Sequence, residues 1–276
     1  MHERLFPRWG AALFALLPLS EILYLPVDGQ TMYAAALAGL LCALLCAAGA
    51  RIAPTLRGYR VPGWILALFA LWPLTRSLAR MALFLQRTAF PSRPLWGLVL
   101  LLTVCSLLAA SSGLNRCAMW ALPVAWVAGG ILLLSGILTL RDLQPTHWQP
   151  PGGTLAAQTR DILSTLLPAA LTLSLALPAR LSGAAARGLA AGSALLALIS
   201  LRAVLLLGPH TAALLPYPNF SAAGLAAIGD FARHGEVFFA VPLLLCELGR
   251  TAALCCVLLL PMTSSYGVFH LWKKDA

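Results

Sequence analysis

Leu16-Leu17-Pro18-Leu19-Ser20-Glu21-Ile22-Leu23-Tyr24-Leu25-Pro26 lies inside the first long apolar run of the chain, which begins near Trp9. Pro18 cannot donate a backbone hydrogen bond, and its ring clashes with the preceding turn. Ser20 and Glu21 follow directly, at the depth where hydrocarbon is expected. An ionisable group there costs roughly 2.5–3.5 kcal/mol on insertion scales. Broken backbone at that depth is tolerated only against protein or a wet cavity. Two readings follow: a kinked helix whose Glu21 is neutral or paired, or a discontinuous helix lining a midplane binding site, as secondary transporters have.

The rest of the composition sets the class. Of 276 residues, 60% are hydrophobic and 10% charged, and the mean hydropathy is +0.85. Soluble domains carry about 25% charged residues, so the chain reads as an all-α polytopic membrane protein forming a single transmembrane domain over residues 1–276. In such a chain the formal charge of +10 reports topology and not a nucleic-acid partner. The seven cysteines fall mostly within apolar runs, with no CxxC pair and no Cys/His spacing of the kind that holds zinc. No cofactor or metal is expected. The first run has no small-residue cleavage site after a short apolar core, so it reads as a retained span.

A crossing helix needs about 20 apolar residues. Eight stretches meet that demand: 9–27, 31–50, 62–86, 94–112, 117–140, 161–178, 184–208 and 236–260. A short interfacial helix is expected over Ser221–Arg233. One set of flanks holds ten basic residues: Arg4, Arg8, Arg51, Arg57, Arg60, Arg116, Arg180, Arg187, Lys273 and Lys274. The other holds five: Arg87, Arg93, Arg141, Arg160 and Arg233. The excess of positive charge marks the cytoplasmic side and puts both termini there.

Six charged residues lie deep within the spans, away from their ends: Glu21, Arg76, Arg80, Arg202, Glu247 and Arg250. Arg76 and Arg80, four apart, share a helix face. Arg250 stands three after Glu247, which permits a local pair. Structural pairing accounts best for Arg202 and Arg250. The sixth stretch repeats the grammar of the first, with Pro168 in its middle, Thr172 and Ser174 nearby and Pro178 at its end. Two Pro-interrupted spans in corresponding positions point to inverted repeats with a site between them. Site residues are therefore expected at Ser20, Glu21 and Ile22 on the first break and at Pro168, Ala169 and Thr172 on the sixth. Arg76, Arg80 and Glu247 are the charged groups able to reach that space. Glu21→Gln is expected to change ligand response without unfolding the protein.

From Leu196 onward the sequence resembles the spore germination permease family, the membrane-permease subunit of nutrient germinant receptors. The residues are Leu207-Gly208-Pro209 closing a span, Tyr217-Pro218, Ala227-Ile228-Gly229-Asp230-Phe231, and Glu236. Earlier stretches are similar in the same order: Ile22-Leu23-Tyr24-Leu25-Pro26, Arg80 with Phe84-Leu85, Pro91-Ser92-Arg93-Pro94, and Arg116 before Pro123 and Asp142-Leu143. The resemblance implies an amino-acid-permease-like inverted-repeat fold with broken first and sixth helices and a germinant pocket at the breaks. It also implies residence in the spore inner membrane, with the receptor's larger membrane subunit and its lipoprotein as partners. The chain departs from that pattern in stopping soon after the eighth span, where the family has ten. His234 stands where an arginine is usual, Ser112 where a glutamate is usual, and no glutamate follows Pro168 in the sixth span.

Three functions are compatible with these residues. One is a germinant-sensing subunit that binds an amino acid or similar nutrient and signals through partners. Another is a proton-coupled amino-acid transporter using Glu21. The third is a ligand-free scaffold subunit of a membrane complex. An enzyme is not expected, because His2, His147, His210, His234 and His270 all lie in flanks or loops with no triad-like or metal-like spacing.

Overall fold

The computed structural model describes residues 6–56, 60–150, 154–177, 181–225 and 235–263, with side chains described in 6–49, 64–150, 154–177, 181–225 and 236–259. Apolar runs bounded by Gly, Pro and short polar turns fold as helices: α1 (Pro7–Glu21), α2 (Thr31–Leu56), α3 (Arg60–Thr88), α4 (Leu95–Ser111), α5 (Leu114–Leu138), α6 (Leu155–Ala176), α7 (Ser182–Leu207), α8 (Pro209–Leu214), α9 (Pro218–Gly224) and α10 (Gly235–Thr263). Two 3-10 turns, Leu140–Asp142 and Pro145–His147, lead from α5 towards α6. No strand occurs among the described residues. Among the described residues, five helical segments are long and apolar enough to cross a membrane: Thr31–Gly49, Trp64–Thr88, Leu114–Leu138, Ser182–Leu207 and Glu236–Leu259. Leu95–Ser111 is a shorter apolar helix. The architecture is compatible with a multi-pass integral membrane protein. Large apolar side chains such as Leu44, Leu68, Trp72, Leu108, Trp120, Trp126 and Phe238 face outward on these helices.

α1 and α7 run through the middle of the assembly. α1 packs on α7, α5 and α10; α2 fills the space between α7 and α6; α10 lies against α3, α5 and α4. α1 and α7 approach each other closely. A Cβ on Gly188 would fall on the Ala11 carbonyl, and one on Gly192 would overlap the Pro18 ring and the Ala15 carbonyl. Gly188 and Gly192 are four apart, so both face α1, and small residues at that spacing let membrane helices pack backbone to backbone. Gly39 on α2 meets the Ser193 side chain in the same way. At the end of α7, Gly208 takes φ 78°, a left-handed conformation open to glycine that turns the chain at once into α8.

Three expectations change. The first span does not continue as helix to residue 27: α1 ends at Glu21, and a turn leads through buried Ile22, Leu23, Leu25 and Val27 to α2. Pro18 weakens the last turn, and the chain leaves through Tyr24 N–H and Leu25 N–H donations to the Glu21 carbonyl, both 3.0 Å. No second half-helix precedes α2. The sixth helix is not broken, because α6 runs from Leu155 to Ala176 straight through Pro168. Pro168 removes the donor to the Ser164 carbonyl, four residues back, a loss that membrane helices tolerate; next to it the Thr165 carbonyl accepts from Arg250 Nη2. The helix expected from Ser221 begins at Pro218, with α8 before it. Pro178, residues 226–234 and Trp272-Lys273-Lys274-Asp275-Ala276 lie outside the described residues.

Candidate functional site

The polar end of α1 is where four helices meet. Ser20, Glu21 and Ile22 are buried, held from above by α9: Asn219 Nδ2 donates to the Ile22 carbonyl at 2.6 Å. Ser20 donates its hydroxyl to the Leu17 carbonyl at 2.8 Å, closing the last helical turn. This leaves the Glu21 carboxylate pointing into the space between α3, α6 and α10.

Two guanidiniums converge on it. Arg80 of α3 makes a forked pair, Nη1 to Oε2 at 2.6 Å and Nη2 to Oε1 at 2.8 Å. Arg250 of α10 donates Nη1 to Glu21 Oε1 at 2.5 Å and to Ser20 Oγ at 3.3 Å, and Nη2 to the Thr165 carbonyl of α6 at 3.0 Å. Glu247, one turn before Arg250, is wholly buried. It lies 3.8 Å from Arg80 Nη2 and 3.6 Å from Arg250 Nη1, at ion-pair distance but beyond hydrogen bonding. Two carboxylates and two guanidiniums thus form a cluster of zero formal charge, which is the condition for keeping such groups out of water.

The cluster is not saturated. Both oxygens of Glu247, Nε of Arg80, Nε of Arg250 and the Tyr24 hydroxyl are buried without a hydrogen-bond partner among the described residues. Tyr24 lays its ring against the Arg80 guanidinium, 5.1 Å from carbon to centroid, where the negative face of an aromatic ring favours a cation. Phe84, one turn after Arg80, stands edge-on to Tyr24, Tyr217 and Phe220. The aromatic group ties the exit of α1 to α3 and α9.

Of the residues expected at the site, Ser20, Glu21, Arg80 and Glu247 come together, and Ile22 contributes its carbonyl to the frame. Arg76 is half-buried one turn from Arg80, and no ion pair among the described residues includes it. Pro168, Ala169 and Thr172 do not reach the charges: Thr172 donates to the Pro168 carbonyl at 2.6 Å, and Ala169 packs in the apolar core. The α6 contribution comes from Thr165 instead. The spacing permits Arg250 a local pair with Glu247, which it makes at 3.6 Å, but its shortest contact is to Glu21. The sequence carried a sign of this, since an intramembrane Arg with one acid three residues away still has donors to place elsewhere.

A second polar group fixes the chain that follows α1. Asp28 accepts from Gln158 Nε2 and, at 2.8 Å, from the Gln30 N–H, and Gln30 Nε2 donates to the Pro150 carbonyl at 2.7 Å. These bonds tie the α1–α2 connection to the entry of α6, at the opposite end of α6 from Ala176.

Comparison of the chain with protein-family models and with curated proteins finds no match.

Proposed function

We propose that this protein is a permease-like membrane subunit that binds a small zwitterionic nutrient, an amino acid or a close analogue, at the Glu21–Arg80–Arg250–Glu247 cluster. One observation carries the reading: unfilled acceptors and unfilled donors sit side by side in a buried, neutral site. Glu247 has two free acceptor oxygens, suited to an ammonium group, while the Nε–H groups of Arg80 and Arg250 suit a carboxylate. A zwitterion brings both and leaves the net charge at zero, whereas a singly charged ligand would bury an uncompensated charge. Entry of the ligand would trade part of the Glu21 pairing for its own. Such a trade moves α3 and α10 relative to α1, and a ligand shifts a conformational equilibrium only through this kind of differential contact.

In this reading α1–α7 and α10 all cross the bilayer, with both termini cytoplasmic. The ordered resemblance to spore germination permeases suggests the context: a germinant-receptor subunit in the spore inner membrane, signalling through a larger membrane subunit and a lipoprotein. The scaffold alternative draws on a different observation, namely that Glu21 already has both oxygens committed to guanidiniums. Equilibrium binding and uptake of radiolabelled amino acids in proteoliposomes decide among the readings. Binding without accumulation is the expected result. Accumulation driven by a pH gradient would replace the sensor with a transporter, and neither binding nor uptake would leave the scaffold.

A further inference from the structure

Arg202 on α7 differs from Arg80 and Arg250, both of which are held by carboxylates. It is 5% exposed. Its Nε donates to Thr139 Oγ1 at 2.8 Å, and its Nη2 donates to the Ala222 carbonyl at 3.3 Å. Its Nη1 is buried with no acceptor among the described residues. None of the ion pairs among the described residues includes Arg202. A guanidinium keeps its charge in proteins, and a buried charge is stable only when paired.

The facing helix offers a second unfilled group. Thr139, at the end of α5, accepts from Arg202 and donates its own hydroxyl to the Ser135 carbonyl at 2.9 Å. Ser135, one turn earlier on the same face of α5, is buried, and its hydroxyl has no partner. An N–H that must donate and a hydroxyl that can donate are therefore left over around one buried positive charge. Val27, Ala203, Val204, Ala212 and Ala222 form a tight apolar cluster around this part of α7. A lipid headgroup is too large for such surroundings, and a water molecule would leave the charge uncompensated.

We propose that Arg202 Nη1 and the Ser135 hydroxyl, with Thr139 positioning the guanidinium, bind a single small inorganic anion of the size and charge of chloride. The site lies on the α5–α7–α9 junction, apart from the Glu21 cluster, and does not depend on what that cluster binds.

The test is thermal unfolding of the purified full chain in detergent, exchanged into sodium gluconate and titrated with sodium chloride or sodium bromide at constant ionic strength. The expected result is an unfolding midpoint that rises by a few degrees and saturates with halide in the wild type. Arg202→Gln should lose that rise, and Ser135→Ala should need several-fold more halide to reach it. A wild-type midpoint indifferent to halide, or an equal response in Arg202→Gln, would overturn the proposal. Should Arg202→Gln fail to fold, Ser135→Ala decides alone: an unchanged halide dependence overturns the site and a weakened one supports it.

Discussion

Arg80 grips Glu21 through two near-parallel hydrogen bonds of 2.6 and 2.8 Å, joining the end of α1 to the middle of α3 across 59 positions of sequence. Planar, forked pairing of this kind is specific to arginine and carboxylate. Because Arg250 takes the same carboxylate from the other side at 2.5 Å, Glu21 is the one residue, among the described residues, shared by both guanidiniums at hydrogen-bonding distance.

Glu21→Gln therefore does more than alter a ligand contact. It leaves two guanidiniums facing one remaining acid, and breaking a buried pair from one side costs about 3–5 kcal/mol. The expectation drawn from the sequence, of an altered response on an intact fold, gives way to a lower unfolding midpoint and reduced yield of folded protein. Arg80→Lys should lie between wild type and Glu21→Gln, since a lysine keeps the charge but not the fork. Thermal unfolding in detergent compares the three.

How much of this was legible in the sequence depends on what each residue has to do. The apolar runs showed where the helices lie, because hydrophobic length is a local property. The presence of Glu21, Arg80 and Glu247 within those runs also showed which charges need explaining. Their partners could not be read so directly. Arg250 and Glu21 are 229 positions apart, and the nearer acid, Glu247, offered a simpler pairing that the structure keeps only at 3.6 Å. Pro168 suggested a break, but a membrane helix can carry an internal proline, and α6 continues through it to Ala176. The Gly188/Gly192 spacing marks the α1–α7 contact in the sequence itself.

That spacing gives a sharp contrast within one helix. Gly192→Ala should destabilise by about 1–3 kcal/mol, the usual cost of overpacking, and Gly192→Leu should abolish the α1–α7 contact. Gly183, near the start of the same helix, has open space where its Cβ would be. Gly183→Ala should be neutral, or stabilising by up to roughly 1 kcal/mol through backbone entropy. Thermal midpoints of the three variants check this directly.

Asn219 is the single side chain donating to the Ile22 carbonyl among the described residues. Asn219→Ala should leave that carbonyl buried and unsatisfied, at a cost of about 1–3 kcal/mol. Hydrogen exchange should then rise at Leu23–Leu25 and in α9, with α4 unaffected.

Cys117 on α5 and Cys256 on α10 have their sulfurs 3.8 Å apart, both buried. A disulfide needs the sulfurs about 2 Å apart with modest movement of the backbone. Treatment with a copper–phenanthroline oxidant should therefore join these two cysteines within one chain, detected by mass spectrometry of the digested protein. Cys117→Ser or Cys256→Ser should abolish the link, and a link from Cys105 to α10 in its place would put α4, not α5, against that thiol.

The most direct test of the account is a thermal-shift panel of amino acids, sugars and nucleosides on wild type and Glu247→Gln. A ligand at about 100 times its dissociation constant stabilises the folded state by roughly 2.7 kcal/mol. The account predicts that the wild type responds to one or a few zwitterionic amino acids and not to neutral sugars, and that Glu247→Gln, whose midpoint without ligand is lower, loses that response. A response to sugars or nucleosides alone, or an amino-acid response that survives in Glu247→Gln, would contradict a zwitterion site at the cluster.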